Sequence, residues 1–446
     1  MPEQPRHSQH ATTSLDARTV PLDPASTRTL ADAGLTYRAV DTDGDDFVSY
    51  VQAVNRGFLG ERSKPEAVEA WRETIGDRRP VGVFDGGSPE PHLPVATVNA
   101  WVDELTVDVD RLLPMWAVSA VTVSATHRRR GIARAMLEGE LRAAADAGLP
   151  IAGLTVSEAT IYGRYGFAPV ATATSWTVKT HRAGWIGPRP GGRLDPIERE
   201  LAQQDLAALH DVVRRGRPGE VAATPSYWRS TAGLTPGQTD GGKVRAVRYT
   251  DESGQVRGVL AYQLENRDDG AATLTVRALA ADGPDAYAAL WRFALEHDLV
   301  DTVRATERSA DEPLRWLLAD PRAAEVTERD HHWLRILDVA RCLESRTYRA
   351  PGAVTFDVVD PLGFAAGRWT LTVAEGGAGV VTRDGAGDGE GAVVTLGVAE
   401  LSALLLGGVR ATTLRAAGRL ATDAATAAWL DATFAPVAAP QLSLWY

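Results

Sequence analysis

The segment Thr126-His-Arg-Arg-Arg-Gly-Ile-Ala-Arg-Ala-Met-Leu137 sets three consecutive arginines and a glycine between a strand-like run and an amphipathic helix. Upstream, Pro114–Ser124 (PMWAVSAVTVS) is apolar and rich in β-branched residues, which predicts a strand. Downstream, Ile132, Met136, Leu137, Leu141 and Ala144 recur at helical spacing, and Gly148 supplies a stop. A strand, a basic glycine loop and a helix make the setting a pyrophosphate requires. The first backbone N–H groups of the helix have no partner in the helix and point at the anion, and the helix dipole favours negative charge there. Gly131 admits a close backbone approach, and Arg128, Arg129 and Arg130 offer forked, charge-assisted hydrogen bonds to phosphate oxygens.

A second motif follows at once. Ile151–Glu158 reads as a buried strand, Ala159–Gly166 as a short helix, and Pro169–Lys179 as another strand. Tyr162 and Tyr165 both lie on the short helix, and their spacing gives them similar faces. Either could be a proton donor or a packing aromatic.

The rest of the chain sets the limits. With 446 residues, two to four domains are expected. A net charge of −11 argues against nucleic-acid binding and favours cationic small partners. One cysteine, Cys342, excludes an internal disulfide and reads as a buried thiol. The first residues lack the apolar core of a signal peptide, and no apolar run approaches the roughly 20 residues of a membrane span, so a cytoplasmic enzyme is expected. His331-His332 has no further ligands at metal spacing and reads as structural; no metal is expected. The glycine-rich stretch 375–391 lacks the Lys-Ser/Thr of a P-loop and reads as loops.

Residues 1–34, polar and aperiodic at first, are expected to be a disordered arm. A mixed strand and helix pattern then covers 35–181, and Arg182–Arg193 reads as a linker. A second such pattern over 194–348 echoes the first, but Ala-Asp-Gly-Pro-Asp-Ala (281–286) replaces the arginine loop. Short strands and Ala/Leu-rich helices fill 349–446. The fold class is therefore α/β (α+β).

The order strand, Arg-x-x-Gly-x-Ala loop, helix, strand, Tyr-x-x-x-Gly-Phe resembles the signature of GNAT N-acetyltransferases. The longer strings Thr126–Leu137 and Ser157–Phe167 are similar to the Eis-like (enhanced intracellular survival) branch. The resemblance implies tandem GNAT-like domains, the second degenerate, then a sterol-carrier-protein-like domain. It also implies acetyl-CoA as co-substrate, held by Val121, Val123, Arg128–Ala133 and Ser157. Expected acceptors are amines of aminoglycoside-like molecules or lysine side chains, and the expected assembly is a homo-oligomer, a hexamer. A lipid-binding protein with a non-catalytic acyl-CoA-sensing domain is the alternative.

An alkyl amine with a pKa near 10.4 is neutral in roughly one molecule in a few thousand at pH 7, so a base is needed. The strand Val118–Val123 carries no carboxylate. The resemblance assigns that role to the α-carboxylate of the last residue, Tyr446, and assigns the acid role toward the thiolate to Tyr162. Trp71 resembles a wall of the family's acceptor pocket. Ala120, where relatives carry an aromatic, implies a wider pocket, and Trp445 stands where an acidic residue can occur.

Overall fold

Runs of Val, Ile, Thr and aromatic residues form the strands, which among the described residues assemble into two sheets. The computed structural model describes residues 15–266, 271–383 and 392–446. The larger sheet has twelve strands: β1 (Leu35–Ala39), β2 (Arg79–Asp85), β3 (Ala96–Asp108), β4 (Arg111–Val123), β5 (Ile151–Thr155), β6 (Ala168–Lys179), β7 (Arg193–Ile197), β8 (Val244–Thr250), β9 (Val256–Asn266), β10 (Ala272–Ala281), β11 (Val300–Arg308) and β12 (Ala324–Ile336). Their spatial order is β1-β2-β3-β4-β5-β12-β6-β11-β10-β9-β8-β7.

That order contains an exchange. β12, the last strand of the second region, lies between β5 and β6 of the first and pairs antiparallel with both. β6 in turn sits between β12 and β11. Each region's sheet is therefore completed by the other's final strand, and the backbone groups at the junction are satisfied only in the joined chain.

The helices α1 (Pro24–Asp32), α2 (Asp46–Gly57), α3 (Pro65–Ile75) and α4 (Ile132–Asp146) surround the first region. Strand alternation divides the packing around β4 into two faces. Trp116 and Val118 meet Met136, Leu137 and Leu141 of α4 on one face. Met115 and Ala117 share the other with Leu334, Ile336 and the C-terminal region's Val354, Phe356 and Leu430. Each fully buried side chain of this size contributes about 1.5–3 kcal/mol. The C-terminal region carries the smaller, five-stranded sheet: β13 (Gly352–Val359), β14 (Gly367–Val373), β15 (Gly379–Arg383), β16 (Ala392–Gly397) and β17 (Leu420–Ala421). Cys342 is fully buried and its thiol donates to the Pro150 carbonyl (3.2 Å), so it packs as a small apolar group.

The expectation of a disordered arm over 1–34 is corrected for residues 15–34. Asp23 caps α1 by accepting from the Ser26 amide (2.7 Å), with Pro24 at the first helical position. Leu30 is buried, Ser26 Oγ donates to the Ala135 carbonyl of α4 (2.6 Å), and Arg142 pairs with Asp23 (2.9 Å). The polar composition concealed a capped helix docked on α4. Residues 1–14 lie outside the described residues, as does the 384–391 part of the glycine-rich stretch.

Arg335 of β12 ties the three regions together. Its guanidinium donates to both Asp360 carboxylate oxygens (2.7 and 2.8 Å), beyond the end of β13, and to the Tyr165 carbonyl (3.1 Å). Neither side chain of the ion pair touches solvent appreciably. Asp360→Ala leaves a buried guanidinium unpaired and is expected to destabilise the protein by about 3–5 kcal/mol. A denaturant midpoint unchanged by that substitution would refute this role for the pair.

Candidate active site

β4 and β5 are parallel partners only where Met115–Ala117 face Ile151–Gly153, and then they part. β4 continues to Val123 with β3 alone beside it, so its edge toward β5 is open. A bulge lies in this free stretch, between the pairs Asn99–Ser119 and Thr97–Thr122. It forces Ala120 to φ +51°, a conformation that costs a non-glycine residue roughly 1–2 kcal/mol. Such strain commonly marks a functional position.

The arginine loop joins β4 to α4 at the mouth of this cleft. His127 anchors it to Asp85 at the end of β2 (3.0 Å). Arg128, Arg129 and Arg130 are exposed and, among the described residues, have no carboxylate at ion-pair distance. Gly131 caps α4 at φ +79°. A Cβ there would meet nothing within 4 Å, so in the protein alone it is the left-handed backbone, not lack of room, that calls for glycine. The first α4 amides and three uncompensated guanidinium groups therefore fit a pyrophosphate.

Val121, Val123, Ile132 and Tyr162 come together in one apolar cluster that lines this side. Ala133 is half-buried in the first turn of α4, and Ser157 is exposed just past the end of β5. Tyr162 starts the 3-10 turn Tyr162–Tyr165 and packs edge-on against Phe167 (6.1 Å between centroids). Burial, with Glu158 and Tyr165 nearby, pushes its pKa up to about 12. Against a thiol near 8.5, giving up that proton is uphill by about 5 kcal/mol, more than for a free phenol. A thiolate leaving in the same dry cleft is also destabilised, which narrows the gap.

Tyr446 reaches the end of β5 from the opposite side. Thr155 Oγ1 donates to its main-chain oxygen (2.5 Å). In the strand register Thr155 pairs with His332 of β12, and His332 holds the same residue by its ring. His332 Nδ1 meets the Gly219 carbonyl (3.0 Å) and must donate, so Nε2 is the acceptor for the Tyr446 hydroxyl (2.8 Å). Burial and His331 push the His332 pKa down to about 3, which keeps the ring neutral. His331 Nε2 donates to the Leu444 carbonyl (2.9 Å), and Glu220 accepts from the Ser443 amide and hydroxyl (3.1 Å each). Gly219, at φ +94°, lies against the tail; a Cβ there would sit 2.8 Å from the Gln441 carbonyl.

Beside Tyr446 opens a cavity of about 630 Å³. Trp71 of α3, Trp101 and Asp103 of β3, Ala120 and Trp445 line it. Asp103 is buried; desolvation raises its pKa to about 6 despite hydrogen bonds from Trp101 Nε1 (3.0 Å) and the Glu104 amide (2.7 Å). Trp101 meets Tyr446 edge-on at 5.3 Å, and the Arg78 guanidinium lies 3.7 Å from the centre of its ring. Trp71 and Tyr446 thus share the cavity, whereas Tyr162 is not among the residues lining it.

Family models match an acetyltransferase (GNAT) domain at residues 37–170, another at 219–336, and a sterol carrier protein domain at 339–443. An uncharacterized N-acetyltransferase of Streptomyces avermitilis is 38% identical, with 83% of this chain and 89% of that protein covered. The N-acetyltransferase Eis of Mycobacterium tuberculosis is 33% identical, with 85% of this chain and 91% of that protein covered. The chain belongs to the Eis-like branch of the GNAT N-acetyltransferases.

The crystal structure of Eis1 from Mycobacterium abscessus matches with a TM-score of 0.77 at 26% identity, covering 92% of this chain and all of that one. The architecture of this GNAT enzyme is accordingly two GNAT domains followed by a sterol-carrier-type domain. Among the described residues, no cluster of His, Cys, Asp and Glu could hold a metal ion, and no helix is long and apolar enough to cross a membrane.

Two residues at the site escaped the sequence reading. Asp103 stands on β3, outside the strand Val118–Val123; its neighbour Trp101, two positions away on the same strand face, is the local signal beside it. His332, read only as structural, is the clamp on Tyr446, and nothing in its local sequence tells of a tail more than a hundred residues away. Tyr446→Phe leaves His332 Nε2 buried without a donor and is expected to cost about 1–3 kcal/mol. For His332 the folded pKa lies below the ordinary 6.5, so the stability tied to its neutral form is complete above about pH 6.5 and is lost as the pH falls toward 3. Acid unfolding that is identical in His332→Gln and the parent enzyme would refute that coupling.

Proposed function

We propose that the enzyme transfers acetyl from acetyl-CoA to amines of cationic acceptors, aminoglycoside-like small molecules or lysine side chains. The observation that carries this reading is Tyr446, whose main-chain oxygen Thr155 holds at the end of β5 and which lines the wide cavity. Arg128, Arg129 and Arg130 with the first amides of α4 hold the pyrophosphate, and the open edge of β4 at Val121 and Val123 receives the pantetheine arm. The acceptor ammonium enters the cavity, where Asp103, the α-carboxylate and the face of Trp71 favour a cation against the single positive charge of Arg78, which is stacked on Trp101.

The Tyr446 carboxylate, directly or through one water, takes a proton from the bound ammonium and passes it to solvent; the freed lone pair then forms the amide bond to the acetyl carbon, and the second proton that the nitrogen sheds replaces the one Tyr162 gives up. Tyr162 supplies a proton to sulfur as the carbon–sulfur bond breaks. Ala120, a small residue in the cavity wall, leaves room for bulky acceptors. A homo-oligomer is proposed on the family resemblance.

Gly131→Asp puts a side chain and a negative charge at the pyrophosphate, and calorimetry should record acetyl-CoA affinity reduced about tenfold or more, ~1.4 kcal/mol. Unchanged affinity would place the coenzyme elsewhere. Appending residues after Tyr446 turns the carboxylate into an amide and should abolish turnover in a folded enzyme, whereas Tyr446→Phe keeps measurable activity. An extended enzyme with the native rate would remove the tail from the mechanism. Tyr162→Phe should lower kcat with coenzyme binding near normal. With a cationic acceptor, kcat/KM should rise as the pH passes about 6, where Asp103 ionises. In Asp103→Asn that limb should vanish and KM should rise about tenfold; a retained limb would refute the assignment.

A further inference from the structure

The second GNAT domain repeats the parting of strands seen at the active site. β10 and β11 run parallel from Ala272 to Val276 against Val300 to Ala305 and then separate. As on β4, a bulge lies in the stretch just past the ladder, here between Val276 and Ala278. A helix, Pro284–Leu295, follows β10 as α4 follows β4. Between the separated strands lies a cavity of about 410 Å³.

Its chemistry differs from that of the first cleft. No arginine loop precedes the helix; Asp282, two residues before its first residue, is paired with Arg257 (2.6 Å), and Asp285 lies in its first turn, so a phosphate is disfavoured there. The positive charge has moved inside. Arg214, Arg217, Arg277, Arg308 and Arg329 line the cavity, against Glu220 and Glu307. Arg214 is paired with Glu104 and Asp211 (2.9 Å each), Arg308 with Glu312 (3.2 Å), and Arg329 with Glu307.

Arg277 and Arg217 have no carboxylate at ion-pair distance among the described residues. Arg277 donates to the carbonyls of Thr231 (3.0 Å) and Ser230 (3.2 Å) and to the Gln263 side chain (3.5 Å), and Arg217 donates to that of Gln441 (3.3 Å). The lining itself holds two carboxylates, Glu220 and Glu307, while Glu104, Asp211 and Glu312 pair with Arg214 and Arg308 from outside it, so among the described residues Arg277 and Arg217 are the two guanidinium groups of this cavity without an ion-pair partner. Two further polar atoms, Arg214 Nη1 and His210 Nε2, are buried without a hydrogen-bond partner among the described residues. They belong to side chains more than nine-tenths buried that line the same space, with Nε2 3.7 Å from the nearest Glu220 oxygen. Leu206, Val276, Leu279 and Tyr287 supply apolar walls.

The remaining wall is the C-terminal tail. Gln441, Ser443 and Trp445 border this cavity, while Leu444, Trp445 and Tyr446 border the acceptor cavity. We propose that the second cleft binds a small monocarboxylate with an apolar body, of the medium-chain fatty-acid kind, and that the tail senses its occupancy. The carboxylate meets Arg277 and Arg217, which no carboxylate of the chain pairs among the described residues, and the body lies on the apolar walls. Ordering Gln441 and Ser443 then steadies the segment that carries the Tyr446 carboxylate. The proposal goes beyond the transferase reading and stands without it.

The test is calorimetric titration of the full chain with sodium octanoate, beside 1-octanol and inorganic phosphate, together with hydrogen exchange of the Gln441–Tyr446 amides. One octanoate should bind per chain. Arg277→Met and Arg217→Met should each weaken it tenfold or more, and Gly131→Asp should leave it unchanged. Exchange of the tail amides should slow at saturation. Binding of octanol as strong as that of octanoate, or of phosphate in its place, would overturn the ligand class. Parent-like octanoate affinity in either folded variant would overturn the site, and unchanged tail exchange would overturn the coupling.

Discussion

The insertion of β12 between β5 and β6 is the constraint on which the rest of this enzyme depends. A strand edge inside a protein must find hydrogen-bond partners, and here the edges of β5 and β6 find them in the last strand of the other GNAT domain. The exchange fuses two domains into one twelve-stranded sheet. It also sets His332 opposite Thr155, so that a side chain of the second domain and one of the first grip the same terminal residue. Arg335, three residues on, extends the tie to the C-terminal domain through Asp360.

The proposed catalytic base belongs to the C-terminal region, and residues of the other two regions hold it in place. A chain end is ordinarily the least ordered part of a protein, because few contacts offset its conformational entropy. Here Glu220, His331, His332 and Thr155 bind the tail in succession, and Trp101 packs against its final ring. The neutral His332 suits this task. A charged imidazole would be costly in so buried a place, and as a donor on both nitrogens it could not accept from the Tyr446 hydroxyl.

The two GNAT domains show how one scaffold separates recognition from chemistry. Both part a pair of parallel strands beyond a short ladder, and both bulge the first strand in the freed stretch. The first domain places its arginines outside, at the head of α4, where a phosphate chain can reach them. The second places arginines within the cleft and aspartates at the head of its helix. The shared backbone therefore says little about what each cleft receives, and the position of the charges decides it.

Much of this was legible in the sequence. The run from Pro114 to Ala144, with its β-branched strand, arginine–glycine loop and apolar stripe, specified β4, the turn and α4, because those signals are local and the periods of strand and helix differ. The same locality made the missing arginine loop at 281–286 readable. A docked N-terminal helix was missed because its Asp-Pro start lay in polar sequence and its stability comes from contact with α4. The strand exchange, the pairing of His332 with Tyr446, and the placing of Asp103 beside them were out of reach. Each joins residues distant in the chain through a shared sheet or cavity, and a single sequence carries no record of which distant residues become neighbours. The sequence by itself determined the strand, arginine loop and helix of the proposed coenzyme site; the tertiary structure alone decided which buried groups meet, because register and burial are properties of the assembled sheet.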